Sequence, residues 1–320
     1  MSPTSPHAFD THAETETAAR AIAAAMDHFG LRPTDVARGS GSYSSTVRVL
    51  TLKGGQRCVL KLPHLRHKLY REIAALEALA DSVPVPRLLD VWEPEDDAPG
   101  ALLLSFVPGT TLLEEHPSPV QTSQMGALLA RIHEHRLGRF GEVHPKNQYL
   151  ATSRSTTVDW WILMVHRLKQ WQADCEAVLP ADLFSACIDL YRTFAENLPA
   201  PDGPCWTHHD YRPGNILTDG VTITGVIDFE SARAGSADID FTKVSHRLWP
   251  HYPGLREAFL AGYASVRPLP PIDQTLPFYQ LHNAFGGIAW CVRRTNQDDP
   301  FFAENLATLR GLVAEYDRQG

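Results

Sequence analysis

A group of polar residues with a defined spacing lies in the second half of this 320-residue chain. Asp210 follows a pair of histidines and precedes Asn215 in the pattern H-x-D-x-x-x-x-N, and an apolar run at residues 223–227 leads into Asp228. Mg²⁺ prefers oxygen ligands, so an amide and one carboxylate can bind it while a second carboxylate orients a hydroxyl group. The pattern predicts phosphoryl transfer from a nucleoside triphosphate, with Asn215 and Asp228 as Mg²⁺ ligands and Asp210 as the catalytic residue.

Two other interpretations of these residues have to be weighed. Asp210 and Asn215 could be ordinary turn residues around Pro213-Gly214, which is a common role for either residue alone. The two histidines and Asp210 could instead bind a transition metal in a metal-dependent phosphohydrolase, together with a distant His and Asp. Such a hydrolase requires neither Asn215 nor a strand that leads into Asp228. The combined spacing therefore favours phosphoryl transfer.

The segment resembles the catalytic and metal-binding loops of the aminoglycoside phosphotransferase family, the small-molecule branch of the protein-kinase-like fold. The second motif of that family usually reads Ile, Asp, an aromatic residue and Glu, and residues 227–230 read Ile-Asp-Phe-Glu. The resemblance implies an α+β, two-lobed, protein-kinase-like fold, with an N-terminal lobe of antiparallel sheet plus a helix and a helical C-terminal lobe. We expect a disordered tail at residues 1–10, a nucleotide-binding lobe at 11–107 that ends in a hinge, and a catalytic and acceptor-binding lobe at 108–320.

The N-terminal part contains the other residues that such a fold needs. Lys61 lies in a strand-like run at 58–62, and Glu72 lies in a segment at 68–80 whose apolar residues recur at helical spacing. The resemblance implies that Lys61 neutralises the α- and β-phosphates and that Glu72 orients Lys61. Because every residue of the catalytic set is present, a catalytically inactive, kinase-like binding protein is disfavoured.

Two further segments resemble parts of the family that contact the nucleotide. Small residues between two strand patterns, among them Gly39, Gly41 and Ser42, would let backbone N–H groups approach phosphate oxygens. A buried strand that ends in a Pro-Gly turn resembles the hinge, where the carbonyl of Ser105 and the N–H of Val107 are expected to contact the adenine. Taken alone, the first segment could be a plain hairpin turn and the second an ordinary core strand.

The chain departs from the family pattern in two places. The family commonly has Gly between the His and the Asp of the catalytic loop, where this chain has His209. After the metal motif the family often reads Gly-Asp-Pro and then a later Asp, whereas residues 235–237 read Gly-Ser-Ala and are followed by Asp240. We expect Asp240 to brace the catalytic loop. Neither departure changes the three residues predicted to do the chemistry.

Helical periodicity predominates in the rest of the chain. Apolar residues at helical spacing predict helices at 118–136, 157–179, 181–197, 255–266, 275–294 and 300–318. We expect most of these apolar residues to be core, and His133 to be structural. In the family, helices of this lobe and the residues after the metal Asp form the acceptor pocket. The candidates for acceptor binding are Glu230, Trp160, Trp161, Trp290, Asp298 and Asp299.

Composition fits a soluble enzyme. The chain is 43% hydrophobic, which allows one large or two moderate cores, and no apolar run approaches the roughly 18–20 residues of a membrane span. The N-terminus lacks the pattern of a signal peptide. The five cysteines are scattered and odd in number, which indicates reduced thiols in the cytoplasm. A net charge of −8 disfavours nucleic acid as a partner, and we expect a monomer or homodimer with no membrane partner.

The predicted activity is phosphorylation of a hydroxyl group on a small molecule, with ATP (or GTP) and Mg²⁺ as cofactors. The resemblance implies an antibiotic acceptor, aminoglycoside-like or another hydroxyl-rich natural product, and therefore resistance. Carboxylates are few beside the tryptophans among the acceptor candidates, which favours a less charged antibiotic whose rings pack on aromatic surface. The alternative is a metabolic kinase that acts on choline, homoserine or a sugar.

Overall fold

The structure is a computed structural model that describes residues 16–39, 44–95, 99–113, 116–145, 148–149 and 157–318. The predicted tail at 1–10 and the loop residues Gly41 and Ser42 lie outside these ranges. The chain divides into a sheet unit and a helical unit. The sheet unit comprises Met1–Pro117, His144–Gln148 and Gly214–Ala232, and the helical unit comprises Ser118–Val143, Tyr149–Pro213 and Arg233–Gly320. The single lobe boundary expected after Val107 stays a prediction.

Antiparallel pairing dominates the sheets of the described chain. The strands are β1 (Asp35–Arg38), β2 (Ser45–Thr51), β3 (Arg57–Pro63), β4 (Leu88–Trp92), β5 (Ala101–Ser105), β6 (Thr110–Thr111), β7 (Val143–His144), β8 (Gln148–Tyr149), β9 (Cys205–Thr207), β10 (Ile216–Thr218), β11 (Ile223–Val226) and β12 (Arg233–Gly235). The largest sheet has the order β1-β2-β3-β5-β4, and a smaller one has the order β11-β10-β6. Both belong to the sheet unit, while β9 and β12 pair in the helical unit.

The central strand β3 has two different faces. Leu60 and Leu62 join a hydrophobic core that includes the first helix, α1 (Glu16–His28). Lys61 lies between these leucines, so its side chain leaves the opposite face of the strand. Its backbone is paired with β2 on one side and with β5 on the other. A lysine in the middle of a sheet is therefore held in a fixed position.

The second helix of the sheet unit, α2 (Arg66–Leu79), carries Glu72 on its buried side. Leu69, Ile73 and Leu76 are buried on the same side. These residues lie one position or one helical turn from Glu72, so the packing that buries the leucines also buries the carboxylate. The helix predicted at 68–80 is present with slightly different ends.

The helical unit contains the remaining helices. They are α3 (Pro119–Glu134), α4 (Thr157–Glu176), α5 (Ala181–Asn197), α6 (Phe241–Arg247), α7 (Leu255–Ala264), α8 (Ile272–Arg293) and α9 (Pro300–Asp317). The six helices predicted after residue 117 are present. The start of α8 is earlier than predicted, at Ile272, and the helix continues through Pro277. Neither α6 nor α1 was predicted. Helix α6 has only seven residues, whereas α1 has an apolar face that includes Ile22, Ala25 and Met26 and could have been recognised.

Two glycines let α3 and α7 pack with their backbones in close contact. A Cβ atom on Gly126 would lie 2.0 Å from the carbonyl oxygen of Phe259, and one on Gly262 would lie 1.9 Å from that of Ser123. No larger residue fits at either position without moving a helix. This close contact between α3 and α7 affects the site, because α3 also carries His133 and α7 carries Tyr263.

A second core lies among α4, α5, α8 and α9. Its largest members include Trp160, Phe278, Tyr279 and Phe285, all essentially inaccessible to solvent. Among the described helices, none combines the length and the apolar composition that a bilayer crossing requires.

His282 of α8 lies in this core and should make stability sensitive to acid. Burial lowers the pKa of His282 to about 3, and Arg167 and Arg233 contribute to the lowering. The unfolded chain binds a proton near pH 6.5 and the folded chain does not, so the free energy of unfolding should fall as the pH drops below 6.5. A single histidine of this kind contributes about 1 kcal/mol per pH unit. Above pH 6.5 its contribution is fully present.

Urea denaturation of the wild type and of His282→Gln at pH 7, 6 and 5 measures this effect. The variant should lose stability less steeply with acid. His251→Gln changes an exposed histidine and should leave the slope as it is in the wild type. Equal slopes for His282→Gln and the wild type would show that the buried imidazole is not responsible.

Candidate functional site

The ammonium group of Lys61 is buried among carboxylates of the sheet unit. Its Nζ lies 2.6 Å from Glu72 Oε2, 2.6 Å from Asp228 Oδ1 and 3.5 Å from Glu230 Oε2. Only 4% of Lys61 is exposed. The structure thus brings together Lys61, Glu72 and Asp228, which the sequence places far apart. Their roles toward a nucleotide stay predictions.

Burial and charge act in opposite directions on this cluster. Burial alone would lower the pKa of Lys61, but Asp228, Glu72 and Glu230 raise it above its ordinary value, so the ammonium stays charged. Burial, together with Asp228 and Glu230, raises the pKa of Glu72 to about 7, and Lys61 offsets this only in part. The burial of Glu72 is therefore unfavourable in itself, and its contact with Lys61 compensates for part of that cost.

Strand pairing places Asn215 and Asp228 side by side. Ile216 of β10 is paired with Val226 of β11, and the N–H of Ile227 donates to the carbonyl oxygen of Asn215 at 3.0 Å. Asn215 is buried, and Asp228 follows in the left-handed backbone conformation, with φ 70°. Aspartate tolerates this conformation better than most residues. The hairpin between the two residues therefore brings the backbone that leads into Asp228 next to Asn215.

The oxygen donors of this region fit a hard divalent cation. Within the described ranges, the group of side chains with metal-ligating atoms close together is Glu72, Asp228 and Glu230, whose oxygens lie within 4.8 Å of one another. The ammonium of Lys61 lies among these oxygens and compensates for part of their charge. Asp228, with the side-chain oxygen of Asn215, offers the ligand chemistry that Mg²⁺ prefers. The two adjacent histidines belong to no such group in the described part of the chain.

In the helical unit, one carboxylate holds the backbone of the catalytic loop. Asp240 accepts hydrogen bonds from the N–H of His208 at 2.7 Å and from the N–H of His209 at 2.6 Å. Its Oδ2 also lies 3.1 Å from Nε2 of His133, and both side chains are fully buried. The expected bracing by Asp240 and the structural role of His133 are confirmed.

The polar contacts continue behind His133. Its Nδ1 lies 2.8 Å from the hydroxyl of Tyr263, which accepts from Arg267 at 3.2 Å. Arg267 in turn donates to both oxygens of Asp202, at 2.6 and 2.8 Å. Sequence reasoning missed Tyr263 and Arg267, because their partners lie on other elements and no local spacing connects them.

His209 adopts the left-handed backbone conformation, with φ 61°. A residue with a side chain is strained in this conformation by about 1–2 kcal/mol, whereas glycine is not. The glycine that the family commonly has at this position therefore suits the local backbone. The hydrogen bond from the His209 N–H to Asp240 holds the same conformation in this chain.

Asp210 lies beside basic side chains. The Nε of Arg212 donates to Asp210 Oδ2 at 3.0 Å. Burial alone would raise the pKa of Asp210, but Arg212, Lys243 and His208 lower it below its ordinary value. Asp210 is consequently ionised at neutral pH and can accept a proton or a hydrogen bond. The next residue, Tyr211, is fully buried and donates its hydroxyl to the carbonyl of Met125 on α3 at 2.7 Å.

The other predicted nucleotide contacts lie in the sheet unit. A Cβ atom on Gly39 would lie 2.6 Å from Cγ1 of Val47, so only glycine fits against β2 there. Ser105 ends β5, and its N–H and hydroxyl both bond to the backbone of Arg87. Val107 lies beyond the strand, against the backbone of Gly225. Contact of Ser105 and Val107 with adenine stays a prediction.

Two of the acceptor candidates are internal residues. Trp160 is 1% exposed, and its Nε1 donates to the hydroxyl of Tyr279 at 3.0 Å, which gives it a structural position in the core. Glu230 is also buried and accepts hydrogen bonds from Ser44, Ser45 and Lys68 within the sheet unit.

The other four acceptor candidates are more accessible. Trp161 is half-buried and contacts Phe278 edge-on. Trp290 is half-buried, with the guanidinium of Arg294 4.1 Å from its ring centroid. Asp298 is exposed, and Asp299 caps α9 by accepting from the N–H of Phe301 at 2.8 Å. Their role in acceptor binding stays a prediction.

Sequence reasoning missed several charged neighbours of the site. Lys68 precedes Glu72 by one helical turn, a spacing that places both residues on one face of α2. This spacing could have indicated that Lys68 lies near the site. Arg212 lies inside the catalytic loop and could have been named from its position. Lys243 of α6 had no sequence signal, because α6 itself was not predicted.

Comparison with known families identifies the chain. A sequence model of the phosphotransferase enzyme family (APH) matches residues 35–274, which include Lys61, Glu72 and the catalytic and metal motifs. The chain belongs to this family. The predicted family and the predicted enzyme class, a phosphotransferase of the kinase type, are thereby confirmed. No curated protein sequence matches this phosphotransferase.

Solved structures share the fold of this phosphotransferase. Aminoglycoside phosphotransferase APH(4)-Ia matches with a TM-score of 0.69 and 18% identity, over 93% of this chain and 98% of that chain. The GDP and kanamycin complex of APH(2")-IIia matches with a TM-score of 0.69 and 14% identity, over 92% and 99% of the two chains. A putative fructosamine-3-kinase from Thermobifida fusca matches with a TM-score of 0.60 and 23% identity, over 90% and 98%. The predicted α+β, protein-kinase-like fold is confirmed.

Replacing Lys61 should destabilise the phosphotransferase strongly. In Lys61→Met, the three carboxylates of the cluster would be buried around an apolar side chain, and breaking a buried ion pair in this way costs about 3–5 kcal/mol. Glu72→Gln alone should lower the free energy of unfolding by less than Lys61→Met does. In the Lys61→Met background, Glu72→Gln should restore part of the lost stability, because it removes one uncompensated charge.

Urea denaturation of the two single variants and the double variant gives this comparison. Lys53→Met, which changes an exposed lysine of the same unit, should leave the free energy of unfolding nearly unchanged. Additive losses in the double variant would mean that Glu72 and Lys61 do not depend on each other.

Proposed function

We propose that this phosphotransferase transfers the γ-phosphoryl group of ATP to a hydroxyl group of a small molecule. The observation that carries the proposal is the buried Lys61 ammonium, 2.6 Å from both Glu72 and Asp228. A lysine held by one carboxylate, beside a second that can bind a metal, is the arrangement that kinases use for nucleotide phosphates. Family membership supports the same reaction.

Lys61 and Asp228 have linked roles in binding the nucleotide. The ammonium of Lys61 would exchange Asp228 for oxygens of the α- and β-phosphates, while Glu72 keeps it in place. Asp228 and Asn215 would then hold Mg²⁺, which neutralises phosphate charge when bound. Solved structures of APH(4)-Ia contain ADP or AMP-PNP, and that of APH(2")-IIia contains GDP, which supports ATP and keeps GTP as an alternative.

Asp210 would act on the acceptor. The oxygen of the acceptor hydroxyl attacks the γ-phosphorus, the bond from that phosphorus to the bridging oxygen of ADP breaks, and the hydroxyl proton passes to Asp210. The lowered pKa of Asp210 keeps the carboxylate ionised and able to orient this hydroxyl. Asp240 contributes indirectly, because it holds the backbone on which Asp210 is mounted.

The charges near Asp210 bear on the nature of the acceptor. Arg212 and Lys243 both act on the Asp210 carboxylate, and Lys243 lies 5.3 Å from the ring centroid of Phe301. Phe301 contacts Trp290 edge-on. A polycationic acceptor would be repelled by these cations, whereas a neutral, hydroxyl-rich ring compound can pack on the aromatic surface. We therefore propose a weakly charged, hydroxyl-rich antibiotic as the acceptor, and resistance as the biological role.

A metabolic kinase is the second candidate function. The similarity to a putative fructosamine-3-kinase favours a sugar-type acceptor within that class, and choline and homoserine remain in the same group. The five cysteines are free and buried, which fits the reducing cytoplasm that either role would require. The predicted state, monomer or homodimer, stays a prediction.

The catalytic role of Asp210 predicts a selective loss of turnover. Asp210→Asn keeps the size of the side chain but removes the group that orients the hydroxyl and accepts its proton, so kcat should fall by about 10²- to 10⁴-fold. Affinity for ADP with Mg²⁺ should stay within a few-fold of the wild type. Steady-state kinetics and calorimetry measure the two quantities, with exposed Asp81→Asn as the control. A variant with nearly unchanged kcat would exclude Asp210 as the catalytic group.

A panel of acceptors tests the proposed class. ATP consumption should be stimulated by one narrow group of hydroxylated antibiotics, and expression in a susceptible bacterium should raise resistance to that group. The acceptor KM should change little between low and high salt, because ion pairs at a rim are screened within about 8–10 Å at moderate ionic strength. Steep salt dependence with an aminoglycoside would contradict the weakly charged acceptor. Turnover of choline, homoserine or a free sugar, without resistance, would establish the metabolic role.

A further inference from the structure

Glu230 is a buried carboxylate of the sheet unit that contacts both hydroxyl and ammonium groups. Its Oε1 accepts from the hydroxyl of Ser44 and from Nζ of Lys68, the latter at 2.8 Å. Its Oε2 accepts from the hydroxyl of Ser45 and lies 3.5 Å from Nζ of Lys61. Glu230 is 4% exposed, so these partners surround it almost completely.

These contacts join three separate elements of the sheet unit. Ser44 and Ser45 lie at the start of β2, Lys68 lies in the first turn of α2, and Glu230 lies in the short turn that begins directly after Asp228. The same carboxylate therefore ties the strand that follows the glycine-containing loop to the turn that carries Asp228. Lys61 is shared with Glu72 and Asp228, so it compensates only part of the charge of Glu230. Lys68 supplies further positive charge.

We propose that Glu230 is a positioning residue for the nucleotide: through Ser44, Ser45 and Lys68 it fixes the start of β2 and the Asp228 turn to each other, and it does not bind the acceptor. The inference rests on the proposed function insofar as the ligand is a nucleotide. It replaces the acceptor role expected for Glu230 from the sequence. Lys68 has the same positioning role, because it contacts Glu230.

The charge of the cluster supports this assignment. Nζ of Lys68 lies 2.8 Å and Nζ of Lys61 3.5 Å from the Glu230 oxygens, so two ammonium groups compensate the charge of this buried carboxylate. Two ammonium groups and two hydroxyls already occupy its oxygens. An acceptor could reach Glu230 only by displacing partners that would then be buried without a counter-charge.

Loss of Glu230 should therefore affect the nucleotide and leave the acceptor unaffected. In Glu230→Gln the size is kept and the charge is lost, so Lys68 loses its carboxylate and the two serines lose their shared ionic partner. We expect the affinity for ADP with Mg²⁺ to fall about tenfold, equivalent to about 1.4 kcal/mol, and the ATP KM to rise in parallel. The acceptor KM should stay within about twofold of the wild type. Glu230→Asp keeps the charge at a shorter reach and should give an intermediate affinity.

The experiment measures ADP–Mg²⁺ binding by calorimetry together with both KM values. Glu77→Gln, on the exposed side of α2, is the matched control. The double variant Ser44→Ala/Ser45→Ala is milder and removes the hydroxyls while keeping Glu230. Its loss of ADP affinity should be non-additive with that of Glu230→Gln, because both changes break the same contacts. If Glu230→Gln folds poorly, the double variant Ser44→Ala/Ser45→Ala still tests whether the contacts to Glu230 contribute to ADP affinity.

The outcomes separate this inference from the reaction itself. Unchanged ADP affinity in Glu230→Gln, or a rise of the acceptor KM alone, would overturn the positioning role. Fully additive losses with the serine variant would also overturn it, because the serines would then act independently of Glu230. A wild type that binds ADP in a Glu230-dependent way but phosphorylates no hydroxyl compound would refute the proposed reaction and support the inference.

Discussion

The buried ammonium of Lys61 is the interaction on which the arrangement of the sheet unit depends. A charged group is removed from water here, and three carboxylates compensate it at 2.6 to 3.5 Å. Burying charges without partners costs several kcal/mol, so the elements that carry these carboxylates must stay in place. Strand β3 supplies the lysine, α2 supplies Glu72, and the segment that follows β11 supplies Asp228 and Glu230. The cluster therefore links the fold of this unit to the chemistry proposed for it.

The helical unit also contains a buried carboxylate, Asp240, which is stabilised by neutral hydrogen-bond donors. The carboxylate of Asp240 is satisfied by two backbone N–H groups and by His133. These bonds hold a loop that contains a strained residue, His209, directly before the catalytic candidate. Strain of this size persists only where the surrounding contacts determine the conformation. In each unit, then, a buried carboxylate fixes the residue that is proposed to act on the substrate.

The sequence predicted the parts of this enzyme that depend on local pattern. A strand-like run and helical spacing located the strand of Lys61 and the helix of Glu72, and the motif spacing named Asp210, Asn215 and Asp228 as candidates whose roles stay predictions. Contacts between distant segments were not accessible in this way. Glu230 was expected to face the acceptor because it follows Asp228, but its partners lie more than 160 residues earlier in the chain. Trp160 was named because helices of this lobe form the acceptor pocket in the family, but its ring is buried in the core.

A structure of the protein with ADP and Mg²⁺ would test most directly whether Lys61 binds the phosphates and Asp228 binds the metal. In that complex, Nζ of Lys61 should keep its contact with Glu72 and exchange Asp228 for a phosphate oxygen. Asp228 and Asn215 should contact the metal. A bound nucleotide whose phosphates lie away from Lys61, or an ammonium that remains on Asp228 with the nucleotide in place, would contradict the account.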